Sequence, residues 1–110
     1  MSAGIYNLSI EQGSSWEIQM AIDSSAGTDL NISGYSFDAK IAKSYYDDTP
    51  VSMTVSVVNS ATGAIKISLS PAQTGALDAA IEYIYDVDMT SGGGTVTRLM
   101  EGRATISPGL

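Results

Sequence analysis

Two pairs of acids are the residues in this sequence whose type and spacing best suit chemistry. Asp86 and Asp88 lie two apart in Tyr83-Ile84-Tyr85-Asp86-Val87-Asp88-Met89. On a strand they share one face, roughly 7 Å apart. Asp47 and Asp48 stand side by side after Tyr45-Tyr46. Carboxylates so placed are candidate ligands for a hard cation such as Ca²⁺. No Asp-x-Asp-x-Asp-Gly loop surrounds them, and neither pair closes a ligand set alone, so the simpler reading is a solvated strand face and a solvated loop. Neither a metal nor a cofactor is expected. Glycoside hydrolysis would need two carboxylates facing each other across a cleft, for which short loops leave little room.

Nucleophilic chemistry is poorly provided for. The chain has no histidine and no cysteine, so neither Ser-His-Asp nor Cys-His can be built. A Ser-Lys dyad is formally open, but nothing sets a particular serine beside Lys40, Lys43 or Lys66. Gly92-Gly93-Gly94 lacks the Lys-Ser/Thr ending of a phosphate loop and reads as a turn. The expectation is a protein that is not an enzyme. Tyr45-Tyr46 carries a different signal. On an extended segment adjacent tyrosines point to opposite sides, so one of them faces solvent, and exposed tyrosine is favoured at interfaces. Tyr6, Tyr45, Tyr46 and the terminal Leu110 are the candidate interface residues.

The elements that would position these residues are strands. Period-two alternation recurs along the chain: Trp16, Ile18, Met20 and Ile22; Phe37, Ala39 and Ile41; Met53, Val55 and Val57; Ile65, Ile67 and Leu69; Tyr83, Tyr85, Val87 and Met89. Glu11-Gln12-Gly13-Ser14 reads as a hairpin turn between Tyr6–Ile10 and Trp16–Ile22. Ser91–Gly94 reads as the reversal before a last strand from Thr95 to Ile106, in which Val96, Arg98 and Met100 alternate and Gly102 marks a bulge. Ser70-Pro71-Ala72-Gln73 has the N-cap, first-turn proline and capping-box residue of a helix start. The pattern predicts an all-β protein, an antiparallel β-sandwich (Ig-like or jelly-roll-like) of seven or eight strands. One short helix is expected near residues 71–78, and residues 1–110 should form a single domain.

Bulk composition narrows the partners. Of 110 residues, 44% are hydrophobic and 15% charged, enough apolar character for one core and too much for a disordered tail. Twelve acids against five bases give a formal net charge of −7. The bases are scattered, so nucleic acid and anionic membranes are disfavoured as partners. No basic segment leads into an apolar run at the N-terminus, so no signal peptide is expected. No stretch reaches the roughly 18 apolar residues of a membrane helix, so a soluble protein is expected.

Four segments in order carry a more specific signal: Leu30-Asn31-Ile32-Ser33-Gly34-Tyr35; Ala64 to Thr74, with Ser-Leu-Ser-Pro-Ala-Gln-Thr; Tyr83 to Met89; and Arg98 to Ile106, around Gly102. This set resembles a family of small β-sandwich domains in virion proteins of tailed bacteriophages, found alone or as N-terminal modules of baseplate and receptor-binding-apparatus proteins. The resemblance spans roughly Ile5 to Pro108 and departs at Ser107-Pro108-Gly109-Leu110, where relatives carry an acidic-hydrophobic-Thr-Arg tail. It implies a virion structural protein in the tail, baseplate or fibre-attachment region, assembled in the host cytoplasm, with other virion proteins as partners and several symmetric copies. The physical reading of the same residues is compatible, with Tyr83 and Tyr85 inward and Gly102 where backbone approaches closely. The alternatives are a capsid decoration (cement) protein and a carbohydrate- or cell-surface-binding module.

Overall fold

The computed structural model describes residues 4–22, 30–47 and 49–109. In these, eight strands and one helix follow in order: β1 (Gly4–Ile5), β2 (Leu8–Glu11), β3 (Trp16–Ala21), β4 (Ser36–Ala42), β5 (Val51–Asn59), β6 (Ala64–Leu69), α1 (Pro71–Gly75), β7 (Tyr83–Thr90) and β8 (Val96–Ser107). Pairing runs β1-β8-β7-β4-β5-β6-β3, with β2 also on β8. The strand β5 belongs to both layers. Its start pairs with β4 (Ala39 opposite Met53), and from Thr54 onward it pairs with β6. One sheet is therefore β1/β2-β8-β7-β4, the other β6-β3, and β5 hands the chain between them. This is a β-sandwich, as the alternation predicts.

Alternation translates into burial most cleanly in β6 and β7. Ile65, Ile67 and Leu69 are at most 2% exposed, and Tyr83, Tyr85, Val87 and Met89 at most 5%. With Ile10, Ile41, Met53, Ala104 and Ile106 they form one core cluster. Each aliphatic side chain so buried contributes about 1.5–3 kcal/mol. The antiparallel pair β7–β8 extends from Tyr83 opposite Ala104 to Thr90 opposite Val96, joined through the turn at residues 91–95.

Helix α1 starts as its sequence dictates. The Ser70 amide donates to Gln73 Oε1 (2.9 Å) and the Gln73 amide donates to Ser70 Oγ (3.2 Å), a reciprocal capping box ahead of Pro71. It ends at Gly75 rather than continuing to residue 78, because Leu77 turns into the core and is 3% exposed. Buried Thr74 anchors the helix to the turn before β3. Its hydroxyl accepts from the Gly13 amide (3.0 Å) and donates to the Ser14 carbonyl (2.8 Å).

Four local expectations change. The sheet is mixed, not purely antiparallel, because β1 and β2 lie parallel to β8, with Ile10 opposite Ile106. The turn after Glu11 is consequently no hairpin. It carries the chain from β2 in one sheet to β3 in the other, and α1 holds it there. In β8 the pairing with β7 shifts between Val87 and Asp88, so Leu99 and Met100 are both buried while Val96 stays exposed. The bulge thus precedes Gly102. Val57, expected inside, is 50% exposed beyond the end of the covered part of β5.

Candidate protein-interaction surfaces

The outer face of β4-β7-β8 is a ladder of charges set by register. Asp38 lies opposite Asp88, which lies opposite Arg98; Lys40 lies opposite Asp86, which lies opposite Glu101. Asp86 and Asp88 do share a face, as their spacing requires, and Arg98 bridges them at 3.5 and 3.2 Å. That pairing makes them part of an ionic strand surface rather than an open ligand set. Burial pushes the Asp86 carboxyl above its ordinary range; Arg98 opposes the shift, and Asp88, Asp38 and Glu101 reinforce it. Among the described residues no group of three or more acids is placed to hold an ion.

At one end of this face the chain leaves β4 through a turn pinned by Asp47. Its carboxylate accepts the amides of Thr49 (2.9 Å) and Lys43 (3.1 Å), and these bonds hold the carboxyl below the usual aspartate value. Asp48 lies outside the described residues. On this frame Tyr45 and Tyr46 are 81% and 92% exposed. Both face solvent because the segment is a turn and not a strand. A shallow depression beside the turn is lined by Tyr45, Ile84 and Ile5, and Ile5 is itself 79% exposed. Ile84 is the one apolar residue in the outward set of β7, a signal visible in Tyr-Ile-Tyr-Asp-Val-Asp-Met. Nothing in the sequence places Ile5 there, since its position depends on the parallel β1–β8 pairing.

Tyr6 is not gathered with the other two tyrosines. Its amide donates to the Glu101 carbonyl (3.0 Å) and its carbonyl accepts the Tyr85 hydroxyl (2.7 Å). Burial is the main cause that pushes the Tyr85 phenol up to about 12. Gly102 lies under this junction, and a Cβ there would collide with the Tyr6 carbonyl, so close approach explains the glycine. Tyr6 also lines an open groove of about 420 Å³, together with Leu8, Ile18, Met20 and Met100. The groove separates β2 from β3. Leu110 lies outside the described residues.

No family model and no curated protein matches the sequence. The fold, by contrast, is shared with solved structures. Among 58 matching chains is one from a photo-crosslinking study of multimeric cell-adhesive interactions of VGSC beta subunits. It aligns at TM-score 0.53 and 15% identity, over 97% of this chain and 96% of that one. Likeness at that identity establishes a shared Ig-like sandwich fold. The chain also contains the corner that such sandwiches use at the start of the penultimate strand. The Tyr83 hydroxyl accepts the Asp78 amide (2.8 Å), five residues upstream, and Tyr85 fills the inward position two residues later.

Proposed function

We propose that this chain is a structural protein of a tailed-phage virion, placed in the tail, baseplate or fibre-attachment region. It works through contacts with neighbouring virion proteins, in symmetric copies, and performs no catalysis. Tyr45 and Tyr46 carry the reading: two aromatic rings held out on a hydrogen-bonded turn, beside exposed Ile5, at the end of a rigid sheet. Tyrosine on such a frame offers contact area at low entropic cost. The ordered resemblance from Leu30 to Ile106 supplies the virion context. Capsid decoration is the nearest variant of this role.

Immunogold labelling of purified particles tests it. The protein is expected on the tail or baseplate, and Tyr45→Ala/Tyr46→Ala is expected to reduce its incorporation at least tenfold without changing its circular dichroism. Label on the head shell would favour decoration. A protein absent from particles would overturn the proposal.

A second reading, a cell-surface-binding module, is favoured by the cell-adhesive role studied for the VGSC beta subunits that share the fold. A glycan array separates the two readings, since specific binding lost in the same double variant would support adhesion over assembly.

A further inference from the structure

The register of β4, β7, β8 and β1 sets the outward side chains in rows. One row runs Lys40, Asp86, Glu101 and Ile5, each directly opposite the next on the neighbouring strand. Asp86 and Glu101 are thus like charges side by side, an arrangement that destabilises a sheet unless a cation offsets it. Cations are in short supply here. Lys40 lies 3.6 Å from Asp38, and the one guanidinium of Arg98 serves Asp86 at 3.5 Å and Asp88 at 3.2 Å. Arg103, two positions beyond Glu101, is committed to Glu82 at 2.7 Å. Among the described residues Glu101 has no ion-pair partner within that distance range. The two acids also stand among exposed apolar groups. Tyr45 and Ile84 line two adjoining depressions, one of which contains Asp86 and Lys40, the other Glu101 and Ile5.

We propose that this surface docks a basic and apolar segment of a different protein, which sets a cationic side chain beside Asp86 and Glu101 and an apolar one against Ile5, Ile84 and Tyr45. Charge complementarity selects the occupant. A cation placed there offsets the repulsion between the opposed carboxylates. The apolar neighbours exclude water from part of the contact, which makes the attraction stronger than on an open surface. Burial has already stripped Asp86 of part of its hydration, so less is lost when a partner arrives. A second copy of this chain is a poor occupant. It carries a formal charge of −7, and four of its five bases, Lys40, Lys66, Arg98 and Arg103, already face an acid at 2.7–3.8 Å. Nucleic acid, as a polyanion, is repelled. The inference deepens the reading of the Tyr45 turn as a contact surface and rests on it, but it requires no virion.

The test titrates two capped peptides, acetyl-Leu-Arg-Leu-amide and acetyl-Leu-Glu-Leu-amide, into the full chain up to about 10 mM, followed by backbone amide chemical shifts. The arginine peptide is expected to move the amides of Tyr45, Ile84, Asp86 and Glu101 and to bind at least about threefold more tightly than the glutamate peptide. That advantage should fade in about 0.5 M salt. Glu101→Gln should weaken the arginine peptide about 2- to 5-fold, and Glu101→Lys should invert the preference, with circular dichroism unchanged in both. Tyr45→Ala should weaken both peptides. Equal binding of the two peptides, lost in Tyr45→Ala but not in Glu101→Gln, would overturn the charge assignment and leave the Tyr45 contact surface standing. Shifts absent from all four amides at the highest concentration would overturn the proposal, whereas labelling of particles decides the virion reading separately.

Discussion

Strands β3 and β6 are neighbours of equal length, six residues each, with the same in-out alternation. Yet Ile65, Ile67 and Leu69 of β6 are closed off from solvent, while Trp16, Ile18 and Met20 of β3 are left half covered. The difference is not in the residues, which are equally apolar, but in the neighbours. β6 has β5 on one side and β3 on the other; β3 has β6 and an open groove. Alternation thus states which way a side chain points, and rank in the sheet states how much covers it. A strand with a good inner face and a poor cover is where an all-β protein keeps free energy available for a partner.

The sharpest way to break this contrast is to truncate one residue on each strand. Ile67→Ala should cost about 2–5 kcal/mol in urea unfolding, and Ile18→Ala about 1 kcal/mol, since less surface returns to water. Equal losses would mean that β3 is as deeply packed as β6. The opposite edge offers the next largest effect. Gly102→Ala forces a methyl against the Tyr6 carbonyl and should cost about 1–3 kcal/mol. Amide exchange should quicken over β1 and β2 and stay unchanged over β6 if that edge is an independently detachable unit.

Titration sharpens the comparison further. The Tyr85 phenol ionises near 10 when unfolded and is pushed up to about 12 in the fold. Its contribution to stability is therefore complete below pH 10 and is lost as the pH rises through that window. Tyr85→Phe should remove this alkaline loss, at a cost of about 1 kcal/mol at neutral pH for the bond to Tyr6, read from denaturant midpoints at pH 7 and pH 11. The smallest effect concerns the acid ladder. The Asp86 carboxyl titrates above its ordinary 3.8, so its ionised form is disfavoured by folding and its contribution declines as pH rises through that range. Asp86→Asn should raise neutral-pH stability slightly and Asp88→Asn lower it slightly, each by under about 1 kcal/mol on a partly solvated ionic face. The same sign for both would place the desolvated carboxylate elsewhere.

Much of this was legible along the chain. Ser70-Pro71-Ala72-Gln73 specifies the helix start because every partner of a capping box lies within four residues. Tyr83 to Ile106 specifies the central hairpin because its turn and both alternating arms are contiguous. That one of Tyr45 and Tyr46 faces solvent was legible from their adjacency; that both do depends on the turn pinned by Asp47. Less visible were the parallel seat of β1 and β2 on β8, the slip that buries Leu99 beside Met100, and the depression shared by Ile5, Ile84 and Tyr45. The first and the last depend on residues brought together from distant parts of the chain, while the slip lies within the β7–β8 hairpin, where strict alternation signals no irregularity.

The sequence by itself determined most of the strands and of their inward faces (Val57 and Leu99 excepted), the helix cap and the absence of imidazole and thiol groups, since all of these depend on side-chain type or on separations of a few residues. Only the tertiary structure decided which strand lies beside which, and with it that β3 stands at an open edge while β6 is enclosed. The physical reason is that a backbone hydrogen bond between strands has no preference for side-chain identity. Partner choice is fixed collectively, by the packing of two apolar faces and by the one path that lets β5 cross from the first sheet to the second.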